Sequence, residues 1–221
     1  MDIWRNLALI LAGLEALAVW KKWSLLEYVA KPAVMVCLFI WLFLRTGLQG
    51  TALWFGVGVL FSLLGDVLLV IPRERMFRLG LAAFLLAHIS YISGFREQLF
   101  NPTAWSFILL FMIFINGVRL IRRIVGAMRA REQNGLVNPV IVYGLVLSLM
   151  LYVAMSTIFD PAWKTEAAFL VSAGAFLFYL SDLVLAWNKF VSPLKNERIL
   201  NTILYHLGQI GLIAGVISQF G

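Results

Sequence analysis

Cysteine is nearly absent from this chain of 221 residues: Cys37 is the only one, set inside an apolar run. A lone cysteine excludes an intrachain disulfide and a CxxC metal motif, and it reads as a small buried hydrophobe. Charge is scarce too, at 13% of residues with only eleven acidic side chains, where soluble domains carry about a quarter. Histidine occurs twice, at His88 and His206. Without an HExxH-like spacing the pair gives no support to a zinc site, and no cofactor motif is present. No segment alternates apolar and polar residues with a period of two, which excludes a transmembrane barrel. A cleaved leader is not expected either. Asp2 offsets Arg5, no small-x-small site follows the first apolar run, and Lys21-Lys22 closes it.

What fills the chain is apolar side chain, 62% of residues, at a mean hydropathy of +0.91. A bilayer-spanning helix needs about 20 mostly apolar residues, and charged and proline punctuation divides the sequence into eight such runs. They are Trp4 to Trp20, Lys31 to Leu44, Gly50 to Ile71, Met76 to Phe95, Thr103 to Ile121, Val137 to Phe159, Glu166 to Lys189 and Ile199 to Phe220. The second is short and extends back through Tyr28 if it is to span. The expected fold is therefore all-α: a polytopic integral membrane protein of eight transmembrane helices in a single domain over residues 1–221.

The net charge of +7 would suit nucleic acid on a soluble chain. On this one it fits the excess of Lys and Arg in cytoplasmic loops, so no nucleic-acid partner is expected. The odd-numbered loops hold Lys21, Lys22, Lys31, Arg73, Arg75, Arg78, Arg119, Arg122, Arg123, Arg129, Arg131, Lys189, Lys195 and Arg198. The N-terminus and the even loops hold only Arg5, Arg45, Arg96 and Lys164. This asymmetry puts the odd loops in the cytoplasm and both termini outside. A weak internal echo accompanies it. Phe61-Ser-Leu-Leu-Gly-Asp66 resembles Phe178-Tyr-Leu-Ser-Asp182, and Lys31-Pro32 opens one segment as Asn138-Pro139 opens another. A parallel four-plus-four repeat would produce such matches; so would chance in apolar sequence, and both stay open.

Three acidic residues, Glu15, Asp66 and Asp182, fall inside spans. An Asp at the centre of a membrane helix costs roughly 2.5–3.5 kcal/mol on insertion scales, which makes such residues functional candidates. At 1.5 Å per residue, Asp66 lies about 9 Å from the helix end at Pro72 and Asp182 about 10 Å from Lys189. Tyr143 and Tyr205 lie about 9 Å inside the starts of their helices on the same side. This polar layer has basic residues at its rim, Lys31 and Lys189, with Asp182, Ala186 and Lys189 along one helical stripe. Asn201, Tyr205 and Gln209 form another stripe, and His88 and Tyr91 lie one turn apart nearer mid-membrane. A cavity lined this way suits a phosphate near the lysines and an apolar chain among the helices. Plainer readings stand beside it. Glu15 is in range of Lys22 at i+7, the tyrosines and histidines suit hydrogen-bonded packing, and Gly211 to Gly215 is a GxxxG packing face.

The stretches Lys31-Pro32, Phe61 to Asp66, Gly80 to Tyr91, Asn138-Pro139 with Tyr143, Phe178 to Phe190 and Tyr205 to Gln209 occur in an order that resembles the YhhN family. That family of eight-helix membrane proteins includes the transmembrane protein 86 lysoplasmalogenases. The resemblance spans nearly the whole chain and implies hydrolysis of the vinyl ether bond of a lysophospholipid substrate, releasing a fatty aldehyde. By motif it implies Asp66 and Asp182 as a catalytic pair, with Lys31, His88, Tyr143, Lys189, Tyr205 and Gln209 around them. The chemistry needs one carboxylic acid to protonate the alkene and an ionised one to steady the cation or activate water; which Asp does which is open. Buried acids in a repeated helical frame also suit a proton-coupled transporter, which substrate uptake into liposomes would distinguish.

Overall fold

A computed structural model describes residues 3–71, 73–96, 99 and 102–221; Asp2 and Pro72, invoked above, lie outside them. Eight long helices carry the chain: α1 (Ile3–Lys21), α2 (Ser24–Thr46), α3 (Ala52–Val70), α4 (Glu74–Gly94), α5 (Ala104–Ala130), α6 (Val137–Ser156), α7 (Thr165–Phe190) and α8 (Glu197–Phe220). Single 3₁₀ turns, Asn134–Leu136 and Thr157–Phe159, flank α6. All eight spans are long and apolar enough to cross a bilayer, and no strand occurs among the described residues. The protein is thus an all-helical, multi-pass integral membrane protein.

Local chemistry sets the helix ends. Thr103 caps α5 in a reciprocal box with Ser106, satisfying amide groups that the first turn leaves free. Gly47 closes α2 at φ 60°, donating its N–H to the Phe43 carbonyl, a left-handed stop that glycine adopts without a Cβ penalty. Pro139 lies in the first turn of α6, where its missing N–H costs nothing.

Two boundaries differ from the sequence expectation. Helix α2 begins at Ser24 and carries Pro32 within it, so Lys31 lies two turns inside the helix rather than at its rim. Prolines persist in membrane helices where neighbouring groups compensate for the lost backbone bond. Helix α5 continues nine residues past Ile121 to Ala130, so Arg122, Arg123 and Arg129 ride a helical extension instead of a loop.

Packing follows side-chain size. Helices α7 and α8 meet backbone to backbone: a Cβ on Gly174 would stand 2.4 Å from the Leu212 nitrogen, and one on Gly215 2.8 Å from the Ala167 oxygen. The GxxxG face of α8 is therefore an interhelical contact, as small residues allow in lipid. The main apolar core includes Phe55, Tyr91, Phe95 and Phe178, all fully buried. By contrast α5 turns Trp105, Phe107, Ile108, Phe111, Met112 and Phe114 outward, and it has the smallest buried share of the eight spans.

Candidate functional site

Six of the intramembrane polar residues gather into two centres. At the first, Asp66 of α3 accepts a hydrogen bond from the Tyr205 hydroxyl of α8 at 2.6 Å, and its other oxygen lies 3.3 Å from Lys31 Nζ of α2. The Asp66 side chain is 0% exposed and that of Lys31 17%. Burial of two charges is tolerable only because they face each other. The Lys31 ammonium also lies 5.2 Å from the centre of the Tyr205 ring.

At the second centre, Asp182 of α7 accepts from the Tyr143 hydroxyl of α6 at 2.5 Å. His88 Nε2 of α4 lies 3.1 Å from both that hydroxyl and the same carboxylate oxygen. His88 Nδ1 is buried and, among the described residues, has no hydrogen-bond partner. A proton on Nε2 meets the carboxylate whereas one on Nδ1 would go unpaired, which favours the Nε2–H tautomer. The Asp182 side chain is 11% exposed.

A shift of four helices maps one centre's wiring onto the other's. Asp66 on α3 meets α2 and α8; Asp182 on α7 meets α6 and α4. The two aspartates share no hydrogen bond among the described residues, because aromatic rings stand between their centres. Phe178 packs on both Tyr205 (5.5 Å between ring centres) and His88 (4.8 Å), and Phe84 packs on both Tyr205 (5.8 Å) and Phe178 (6.2 Å). Gly65 makes room for this layer, since a Cβ there would stand 2.6 Å from the Phe84 ring.

A cleft opens on the second centre. It is narrow, with about 790 Å³ of empty space counted out to its open side. Asp182 and Tyr143 stand in a wall otherwise built mainly from apolar residues such as Leu69, Phe84, Ile121, Val140 and Leu183. Among the described residues Asp66, Lys31 and Tyr205 are not part of that wall. At the end of the cleft nearest the basic loops, Phe77, Ala186 and Phe190 line it, and the exposed Lys189 holds its ammonium 4.0 Å from the centre of the Phe77 ring. The stripe Asp182, Ala186, Lys189 thus runs from the polar wall toward that end, with Lys189 beside the lining residue Phe77.

The structure brings six of the eight candidate residues into the two centres and sets Lys189 beside Phe77, at the end of the cleft nearest the basic loops. Gln209 reaches neither carboxylate directly but neighbours the Tyr205 hydroxyl that binds Asp66. Its carbonyl accepts from the Tyr91 hydroxyl at 2.8 Å, and its amide donates to Ser62 Oγ at 3.0 Å. One pair escaped the sequence reading: Glu15 does not reach toward Lys22 but is buried against His206 Nε2 of α8. The signal was present, for Glu15 and His206 are both ionisable groups inside spans. Among the described residues, no three His, Cys, Asp or Glu side chains gather as a metal site.

An eight-helix frame with one hydrogen-bonded carboxylate, Asp182, in the wall of an apolar cleft defines a multi-pass membrane protein with a polar centre among its helices. The sequence profile of the YhhN family matches residues 26–216, and the chain belongs to that family. It is 29% identical to the lysoplasmalogenase TMEM86B of Mus musculus over 203 residues, covering 86% of this chain and 74% of that one. TMEM86B of Homo sapiens is 29% identical over 184 residues, covering 81% and 69%. The lysoplasmalogenase TMEM86A of Bos taurus is 30% identical over 158 residues, covering 70% and 61%. No solved structure matches the chain.

Proposed function

We propose that this protein hydrolyses the vinyl ether bond of lysoplasmalogens, with Asp182 as the group that meets the substrate. The observation that carries this reading is the placement of Asp182, hydrogen-bonded to His88 and Tyr143, in the wall of a narrow apolar cleft with a lysine beside one end. The spacing suits the substrate. Seven residues of α7 separate Asp182 from Lys189, a rise of about 10 Å. Seven bonds separate the phosphorus of a lysoplasmalogen from its alkene β-carbon, about 8 Å at the roughly 1.2 Å per bond of an extended chain. Phosphate at Lys189 therefore leaves the vinyl ether at Asp182. The names of the relatives support the same substrate.

The steps balance without a further reactant. Protonated Asp182 gives its proton to the β-carbon, leaving an oxocarbenium ion at the ether carbon. Water adds to that carbon and returns a proton to the Asp182 carboxylate. The hemiacetal then collapses, its hydroxyl proton passing to the glycerol oxygen, to aldehyde and alcohol. Fixed donors such as Tyr143 and His88 hold the carboxylate where charge develops and need not reorganise during the reaction. Asp66, the other member of the aspartate pair, acts from behind Phe84 by holding Tyr205 and Lys31 in register. The matched wiring of the two centres supports a parallel four-plus-four duplication.

Turnover in deuterium oxide tests the chemistry. Protonation of the β-carbon places one deuterium at C2 of the released aldehyde. Aldehyde formed without deuterium at C2 would require a different bond-breaking step.

A further inference from the structure

The two ends of the cleft differ, and the end away from the basic loops cannot contain a long chain. There it is lined by Gly117 of α5, Ser148 of α6 and Tyr179 of α7. A Cβ on Gly117 would stand 3.0 Å from Ser148 Oγ, and one on Gly144 3.0 Å from Ile121 Cδ1, so α5 and α6 close on each other where Gly117 and Gly144 lack a side chain. Asp182 precedes this end by three residues of α7, about 4.5 Å, and Tyr143 by five residues of α6, about 7.5 Å. A chain whose vinyl ether lies at Asp182 therefore fits only about four to six further carbons at roughly 1.2 Å per bond. Longer tails must leave the cleft. Helix α5, one side of this seam, is the least covered span and faces outward with Trp105, Phe107, Phe111 and Phe114, so a tail that passes it enters the bilayer.

We infer that the α5–α6 seam at Gly117, Gly144 and Ser148 is the hydrocarbon port of this site, through which the tail of a single-chain lipid extends from the cleft into the membrane. Residues without bulk stand at the seam because the tail displaces α5 slightly as it passes. The inference rests on the lysolipid reading for the ligand's class but not on the bond that is cleaved.

The same geometry provides the test. The Cβ position of Gly117 lies 3.8 Å from Ser148 Cβ, the mean separation in a disulfide. The double variant Gly117→Cys, Ser148→Cys can therefore be locked by oxidation and released by reduction in one preparation, with the natural Cys37 buried on α2. Binding of saturated 1-alkyl lysophospholipids, which have no bond to cleave, is measured alongside turnover of the matching alkenyl substrates across chain lengths. The locked protein should lose at least tenfold in affinity and in kcat/KM for sixteen-carbon chains, stay within twofold for four-carbon chains, and recover on reduction. Gly144→Leu, which plugs the seam without a crosslink, should show the same length dependence. Loss that is equal at every length, or absent at sixteen carbons, would overturn the port. If wild type binds the alkyl lipids with this dependence yet cleaves no vinyl ether, the port stands and the proposed reaction falls.

Discussion

The ion pair between Lys31 and Asp66 makes an uneven prediction for its two halves. Lys31→Met leaves a carboxylate with 0% exposure that has lost its ion-pair partner, whereas Asp66→Asn leaves an ammonium whose side chain is 17% exposed and can reach toward the interface on a flexible stem. Removing one partner of a buried pair costs about 3–5 kcal/mol, so Lys31→Met should fall near the top of that range and Asp66→Asn near or below its bottom. The double variant Lys31→Met, Asp66→Asn has no unpaired charge and keeps an acceptor for the Tyr205 hydroxyl, which donates to Asp66 at 2.6 Å. It should lie within about 1 kcal/mol of wild type, since replacing both members of a buried pair is often near neutral. The assay is reversible denaturation in mixed micelles, with the four proteins forming a double-mutant cycle. Additive losses in the double variant, or equal losses in the singles, would refute the argument that charge compensation holds this centre together. The stable double variant then isolates the role of Asp66: retained turnover fits a positioning part, and lost turnover puts its charge into the chemistry.

Other consequences follow from the second centre and the loops. Tyr143→Phe removes the 2.5 Å hydrogen bond to Asp182 and should lower kcat by ~10–100-fold with little change in KM, since the bond acts where charge develops; steady-state kinetics on a lysoplasmalogen checks it. Lys189→Ala should raise KM and leave kcat near wild type, because a phosphate contact at the end of the cleft is made equally in ground and transition states. A fall in kcat at unchanged KM would instead move Lys189 into the reaction. If the basic loops are cytoplasmic, a cysteine at Ser192, in the turn between α7 and α8, should be shielded from a membrane-impermeant thiol reagent in intact cells, while one at Thr51 should react. The reverse pattern would invert the topology.

Much of the frame was legible because lipid imposes a coarse code. Runs of apolar residues gave eight spans whose ends lie within a few residues of the helices, apart from α2 and α5. Both exceptions have a physical cause. Lys31-Pro32 has the composition of a helix start, and only the Tyr205 and Asp66 side chains of other helices reveal why the lysine is accommodated inside. The arginine-rich end of α5 has the composition of a loop, yet it continues as helix beyond the apolar stretch. The positions of Asp66 and Asp182 along their helices followed from helical rise alone. Their partners did not, since contacts such as Asp66 with Tyr205 or Glu15 with His206 join helices far apart in the chain. Nor did the aromatic layer between the centres, because apolar composition alone does not tell Phe84 and Phe178 from the phenylalanines that face lipid.

Aldehyde release from a lysoplasmalogen by the purified protein, compared with its Asp182→Asn variant, tests the central claim most directly. The exchange removes the proton donor at the cleft wall while keeping an acceptor for Tyr143, so the variant should fold, bind the saturated alkyl lysolipid as wild type does, and release no aldehyde above background. Turnover by Asp182→Asn at a rate near wild type would contradict the assignment of Asp182 as the group that meets the substrate.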